Sequence, residues 1–135
     1  MTQNDKELLL KDLCGRLPYG VKCYIPESNE VKTLGGIHED GENTLFDFLG
    51  DSRKIVYGTQ LYISEFKPYL FPMSSMTEEQ KEEYCQLQQK IIYNSKGFVN
   101  TDILSYINWC YENHFDVNGL IPLDLAIDAT GLNIY

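Results

Sequence analysis

The spacing of apolar positions changes once in this chain, across Lys67-Pro68-Tyr69-Leu70-Phe71-Pro72-Met73-Ser74-Ser75-Met76-Thr77-Glu78-Glu79-Gln80. Before that seam they recur mainly at every second residue, the period of a strand with one buried face. After it they recur at three- and four-residue steps, the period of an amphipathic helix. A helix also opens the chain. Leu9, Leu10, Leu13, Cys14 and Leu17 form its apolar stripe. Asn4 or Asp5 can cap it, with Asn4 and Glu7 at capping-box spacing; Gly15 weakens its end and Pro18 stops it.

The β-region begins where Val21, Cys23 and Ile25 alternate with Lys22 and Tyr24 before Pro26. Glu27-Ser28-Asn29 reads as a turn. Residues 31–37 form a second strand with a bulge or bend at Gly35-Gly36, and Asp40-Gly41 is a hairpin signal. Residues 44–49 form a third strand with Phe46 and Phe48 on one face, followed by a turn at Gly50-Asp51-Ser52. Two more short strands, 54–57 and 60–64, flank Gly58, and 65–70 reads as an irregular or 3₁₀ turn.

Beyond the seam, Ser75 or Thr77 caps a second helix. Thr77 and Gln80 make a capping box, Glu78 and Glu79 suit the positive end of the helix dipole, and Tyr84, Leu87 and Ile91 form the apolar stripe. Asn94-Ser95-Lys96-Gly97 reads as a linker. Thr101 caps a third helix to about Glu112, with Ile103, Leu104, Ile107, Cys110 and Tyr111 as its apolar face. After a turn signal at Asn118-Gly119, the alternation of Leu123, Leu125 and Ile127 with Asp124, Ala126 and Asp128 favours a strand. The expected class is α+β: an N-terminal helix, a five-stranded antiparallel meander or small barrel, two C-terminal helices and a C-terminal strand. One open sheet is the alternative. The 135 residues suit a single domain, with 1–72 as helix plus β-region and 73–135 as a helical part packed on it.

Composition narrows the chemistry. The net charge is −9. Phosphate backbones are bound through Lys and Arg, so direct nucleic-acid binding is not expected, and anionic membranes would repel the chain. A protein with a basic surface is the natural complement. No apolar run reaches the length of a membrane span, and the N-terminus lacks the basic start of a signal peptide, so a cytoplasmic location with reduced thiols is expected.

Candidate reactive groups are sparse. Cys110 and His114 stand four apart and can face one way, as a metal pair or as nucleophile and base, but a closed zinc site needs two further ligands; His38 and Cys23 can join only through the fold. The acidic run His38-Glu39-Asp40-Gly41-Glu42 falls in the hairpin turn and reads as solvated. Asp116-Val117-Asn118-Gly119 begins like a calcium loop, but Leu120 and Ile121 break the pattern. No phosphate-binding glycine loop, zincin motif or nucleophile elbow is present, and no cofactor or metal is expected. Tyr57, Tyr62, Phe66, Tyr69 and Phe71 form an aromatic run with Lys54 and Lys67 among them. It reads first as a seam between the β-region and the helices, and second as an exposed interaction patch.

Three segments carry a resemblance. They are Lys6-Glu7-Leu8-Leu9-Leu10-Lys11-Asp12-Leu13-Cys14-Gly15-Arg16-Leu17-Pro18-Tyr19-Gly20-Val21, the seam quoted above, and His114-Phe115-Asp116 with Gly119-Leu120-Ile121-Pro122 and Leu125-Ala126-Ile127. In these the chain resembles a group of small uncharacterised proteins from prophages and mobile elements of gut bacteria. The resemblance implies an intracellular, accessory, phage-type context and brings no catalytic or binding residues. The expected function is a non-enzymatic protein–protein interaction module. The alternatives are an acidic inhibitor masking a basic nucleic-acid-binding protein, a small thiol- or His-dependent enzyme, and a structural subunit that forms a homo-oligomer.

Overall fold

The first helix starts two residues earlier than Asn4 suggests. The structure, a computed structural model, describes residues 1–50, 55–93 and 100–135, with the backbone alone at 55–59, 92, 93, 100 and 101. Helix α1 spans Gln3–Arg16, capped by Thr2: its Oγ1 accepts from the Asp5 amide while the Asp5 carboxylate accepts from the Thr2 amide. This reciprocal box satisfies two orphan donors that an Asn4 cap would leave open. The helix runs through Gly15, because the missing side chain there is filled by the Tyr111 ring, into which a Cβ would collide. A 3₁₀ turn at Leu17–Tyr19 ends it.

Strands β1 (Lys22–Ile25), β2 (Glu30–Asp40), β3 (Asn43–Leu49), β4 (Ile55–Leu61), β5 (Lys67–Leu70) and β6 (Ile127–Asp128) form one sheet in the order β4-β3-β2-β1-β5-β6. The first four make the expected antiparallel meander. The bulge falls between Leu34 and Gly36 and the hairpin closes at Asp40 and Asn43, as the sequence predicts. Beyond that the prediction needs correction. Residues 55–57 and 60–61, expected in two strands, belong to one strand, β4, and 62–64 lie beyond it. The fifth strand is β5, in the segment expected to be irregular. It crosses back to pair antiparallel with β1, while β6 joins it in parallel. The sheet is therefore open and mixed, not a barrel. Pro68 argues against an interior strand, but here it sits in a ladder only two residue pairs long, opposite Cys23.

Helix α2 spans Glu78–Tyr93 and carries the predicted box: the Thr77 amide donates to Gln80 Oε1 (2.9 Å) and the Gln80 amide to Thr77 Oγ1 (3.2 Å). Helix α3 spans Asn100–Glu112. Asp51 and Ser52 of the expected turn, Lys54, the linker 94–97 and the side chains of Tyr57 and Thr101 lie outside the described residues. The tail strand shrinks to β6. Leu123 is exposed while the adjacent Leu125 and Ala126 are both buried, because the chain turns at Asp124 (φ 59°) instead of alternating.

Two apolar clusters result. The larger packs Leu9 and Leu13 of α1 against Ile25, Leu34, Phe46 and Phe48 of the sheet, with Val21, Phe66, Leu70, Leu120 and Leu125. The smaller joins Met76, Cys110 and Phe115 with Phe71, Tyr84 and Trp109 around α2 and α3.

Candidate functional site

The pair expected to carry chemistry, Cys110 and His114, lies at the C-terminus of α3. His114 takes the left-handed position (φ 61°) that ends the helix. Its amide donates to the Tyr111 carbonyl and the Phe115 amide to the Cys110 carbonyl, the two bonds of a Schellman cap. The accompanying apolar contact is Phe115 stacked on Trp109, with ring centroids 5.6 Å apart. His114 is thus placed by helix termination, and its ring lies flat on Tyr135, centroids 3.6 Å apart. Burial, with Arg16 and Lys22 nearby, lowers its pKa to about 4. Burial likewise raises the Cys110 thiol to about 11, against a smaller opposing pull from Arg16. At neutral pH the pair is a thiol and a neutral imidazole, the reverse of an activated nucleophile and its base. The cationic imidazole that a helix C-terminus would favour is overridden by burial, with the positive charge of Arg16 and Lys22 adding to it.

A pH dependence follows from this placement. Unfolded His114 takes up a proton near its ordinary value of 6.5, whereas the folded ring stays neutral until about 4. The unfolded state therefore gains protons first as pH falls. Stability from this group is full above 6.5 and is lost progressively down to 4, at on the order of 1 kcal/mol per pH unit. Urea unfolding at neutral and mildly acidic pH, compared between the native chain and His114→Phe, measures it. The variant keeps a ring on Tyr135 and should lose that part of the pH dependence.

Beneath this pair lies a cluster that the helical stripe did not reveal. Asp12 and Arg16, one turn apart on α1, are 1% and 0% exposed. Arg16 Nε bonds Asp12 Oδ1, and its Nη2 donates to Asp12 Oδ2 (3.1 Å) and to the Phe115 carbonyl (2.7 Å). The guanidinium lies over the Tyr111 ring at 4.7 Å, and Asn118 Nδ2 donates to Asp12 Oδ2 (2.9 Å). The predicted stripe is therefore rotated: Cys14 faces solvent and the ion pair turns inward. The visible signal was the Asp–Arg spacing of four, in register with Leu9 and Leu13. Asp116, the first residue of the rejected calcium pattern, accepts from the Leu120 and Ile121 amides (2.7 and 2.9 Å) and so caps its own turn.

The five predicted aromatics do not form one surface. Phe66 is 1% exposed in the larger cluster, edge-on to Phe46 and Phe48 at 5.1 and 5.0 Å. Tyr69 is buried, Phe71 is half-buried in the smaller cluster, and the side chain of Tyr57 lies outside the described residues. Tyr62 is 50% exposed.

Tyr62 lines a cleft of about 380 Å³ between the first turns of α1 and the β2–β3 hairpin. Glu7 and Lys6 stand on the helix wall, Glu42 and Asn43 on the hairpin wall, and Leu10 and Ile63 supply apolar lining that packs on the larger cluster. The hairpin tip adds Glu39, opposite Thr44, and Asp40, opposite Asn43. Glu39, Asp40 and Glu42 are exposed and pair with no cation among the described residues. His38 does not join them; its Nδ1 donates to Asp47 Oδ2 (2.8 Å), across the space left by Gly36.

Other charged surface is committed in part, although Glu79 and Glu82 on α2 are exposed without a cation partner among the described residues. On α2, Glu78 pairs with Lys81 (3.1 Å) and Glu83 accepts from Trp109 Nε1 (2.9 Å). A wider groove of about 800 Å³ over β1 and β2 contains two lysines, but Lys22 donates to the Ile134 carbonyl and Lys32 pairs with Glu30. Among the described residues no group of three or more His, Cys, Asp or Glu is placed to hold a metal, and no helix is long and apolar enough to cross a membrane. Comparison with protein-family models, with curated proteins and with solved structures finds no match to this chain.

Proposed function

We propose that this protein is an interaction module that docks a basic surface of another protein through the β2–β3 hairpin tip and the cleft beside it. The observation that carries this reading is the set of exposed, uncompensated carboxylates of Glu39, Asp40 and Glu42 next to a cleft with an exposed tyrosine. Carboxylates already paired within the fold gain less from an external cation than free ones do. The phage-type context and the −9 charge extend the reading to masking of a basic nucleic-acid-binding surface. Such a protein acts in the cytoplasm, where its four free thiols stay reduced.

A short peptide of alternating arginine and glycine tests the charge dependence. Its affinity for the full chain should fall severalfold as salt rises from about 20 mM to about 150 mM, because the Debye length shrinks to about 8 Å. Unchanged affinity across that range would replace charge complementarity with apolar docking. Absence of binding at the lower salt would overturn the proposal.

A further inference from the structure

Much of the polar surface of the cleft is not in use within the fold. Asp12, Arg16, Asn118 and Asp116 spend their side chains on one another and on backbone groups. In the cleft, the side chains of Lys6, Glu7, Glu42, Asn43, Tyr62 and Ser64 have no hydrogen-bond or ion-pair partner among the described residues. The frame around them is nevertheless fixed. The Tyr62 amide donates to Glu65 Oε2 (2.6 Å), Ile63 and Leu10 pack on the larger core cluster, and the Thr2–Asp5 box locks the start of α1. A cleft of about 380 Å³ lies toward the small end of ligand sites, which run from roughly 300 to 1,000 Å³.

Its chemistry selects a cation with a flat face. Glu7 and Glu42 stand on opposite walls, Lys6 is the one basic side chain in the lining among the described residues, and the Tyr62 ring is half exposed. An aromatic face attracts a cation electrostatically, most often a guanidinium in proteins. The planar guanidinium also offers a fork of donors that suits two carboxylates, which an ammonium does not. We infer that the cleft is a socket for one arginine side chain of the partner, its guanidinium lying on Tyr62 between Glu7 and Glu42. This rests on the proposed docking of a basic surface and names the group that anchors it. Lys6 limits the affinity by like-charge repulsion, so its removal should tighten binding.

The test uses the isotope-labelled full chain at low salt, titrated with a capped Gly-Gly-Arg-Gly-Gly peptide and with its citrulline counterpart, which keeps the shape and loses the charge. The arginine peptide should shift the backbone amides of Glu7, Asn43, Tyr62 and Ser64, and the citrulline peptide should bind about tenfold more weakly. The pair Glu7→Gln/Glu42→Gln and the single change Tyr62→Ala should each weaken the arginine peptide severalfold. Lys6→Ala should strengthen it, a gain that misfolding does not mimic. Salt-sensitive binding with shifts elsewhere, or affinity unchanged in Glu7→Gln/Glu42→Gln, would overturn the socket and leave docking of a basic surface standing. No binding of this peptide or of the longer arginine–glycine peptide would overturn both.

Discussion

Replacing Arg16 with alanine is expected to destabilise the fold by about 3–5 kcal/mol, the usual cost of removing one partner from a buried ion pair. The side chain is fully buried and joins three elements: Asp12 on its own helix, the Phe115 carbonyl beyond α3, and the Tyr111 ring. Its loss leaves the Asp12 carboxylate inside with Asn118 Nδ2 as a remaining donor and leaves the Phe115 carbonyl without its charged partner. The pair is a poor source of net stability compared with apolar residues of similar volume, so the double change Asp12→Leu/Arg16→Met should recover most of the loss. Urea unfolding of the three proteins gives the answer. A single change costing under about 1 kcal/mol would mean that Arg16 reaches solvent in solution.

Phe66→Ala is expected to cost a similar amount, about 3–5 kcal/mol. Phe66 follows β4 and fills the space between Phe46 and Phe48 on β3, touching both edge-on. Truncation leaves a cavity against rings held by the sheet ladder, where collapse to fill it is hindered. The contrast is Tyr62→Ala, four residues earlier and half exposed, which should stay within about 0.5 kcal/mol of the native chain. Similar losses at both positions would show that the aromatic run acts as one buried seam and that Tyr62 is not free to meet a ligand.

The contrast between these two aromatics bears on what the sequence made legible. Features set by local chemistry were readable. The Gly35-Gly36 bulge, the Asp40-Gly41 hairpin and the Thr77–Gln80 box each depend on a few adjacent residues and stand where expected. Features set by distant partners were not. The strand at 67–70 exists because β1 and β6 flank it, and nothing in Lys67-Pro68-Tyr69-Leu70 announces those neighbours. The inward turn of Asp12 and Arg16 depends on a carbonyl 99 residues further along the chain. The candidate site divides the same way. The acidic run from Glu39 to Glu42 and the aromatic Tyr62 were both visible. The joining of Glu42 and Tyr62 into one cleft with Glu7 follows from the docking of α1 beside the hairpin. His114 was visible as a helix-end residue, but its neutral state follows from its burial, and from Arg16 and Lys22 beside it, which only the fold brings about.

The central claim is that the hairpin and its cleft, not the acidic start of α2, meet the basic partner. Calorimetric titration of the arginine–glycine peptide into three full-length proteins tests it most directly: the native chain, Glu39→Gln/Glu42→Gln, and Glu78→Gln/Glu79→Gln. Each double change removes the same charge, so a general effect of net charge would move both equally. Affinity is predicted to drop severalfold in the hairpin variant and to stay near native in the α2 variant. Loss confined to the α2 variant, or equal loss in both, would contradict the claim.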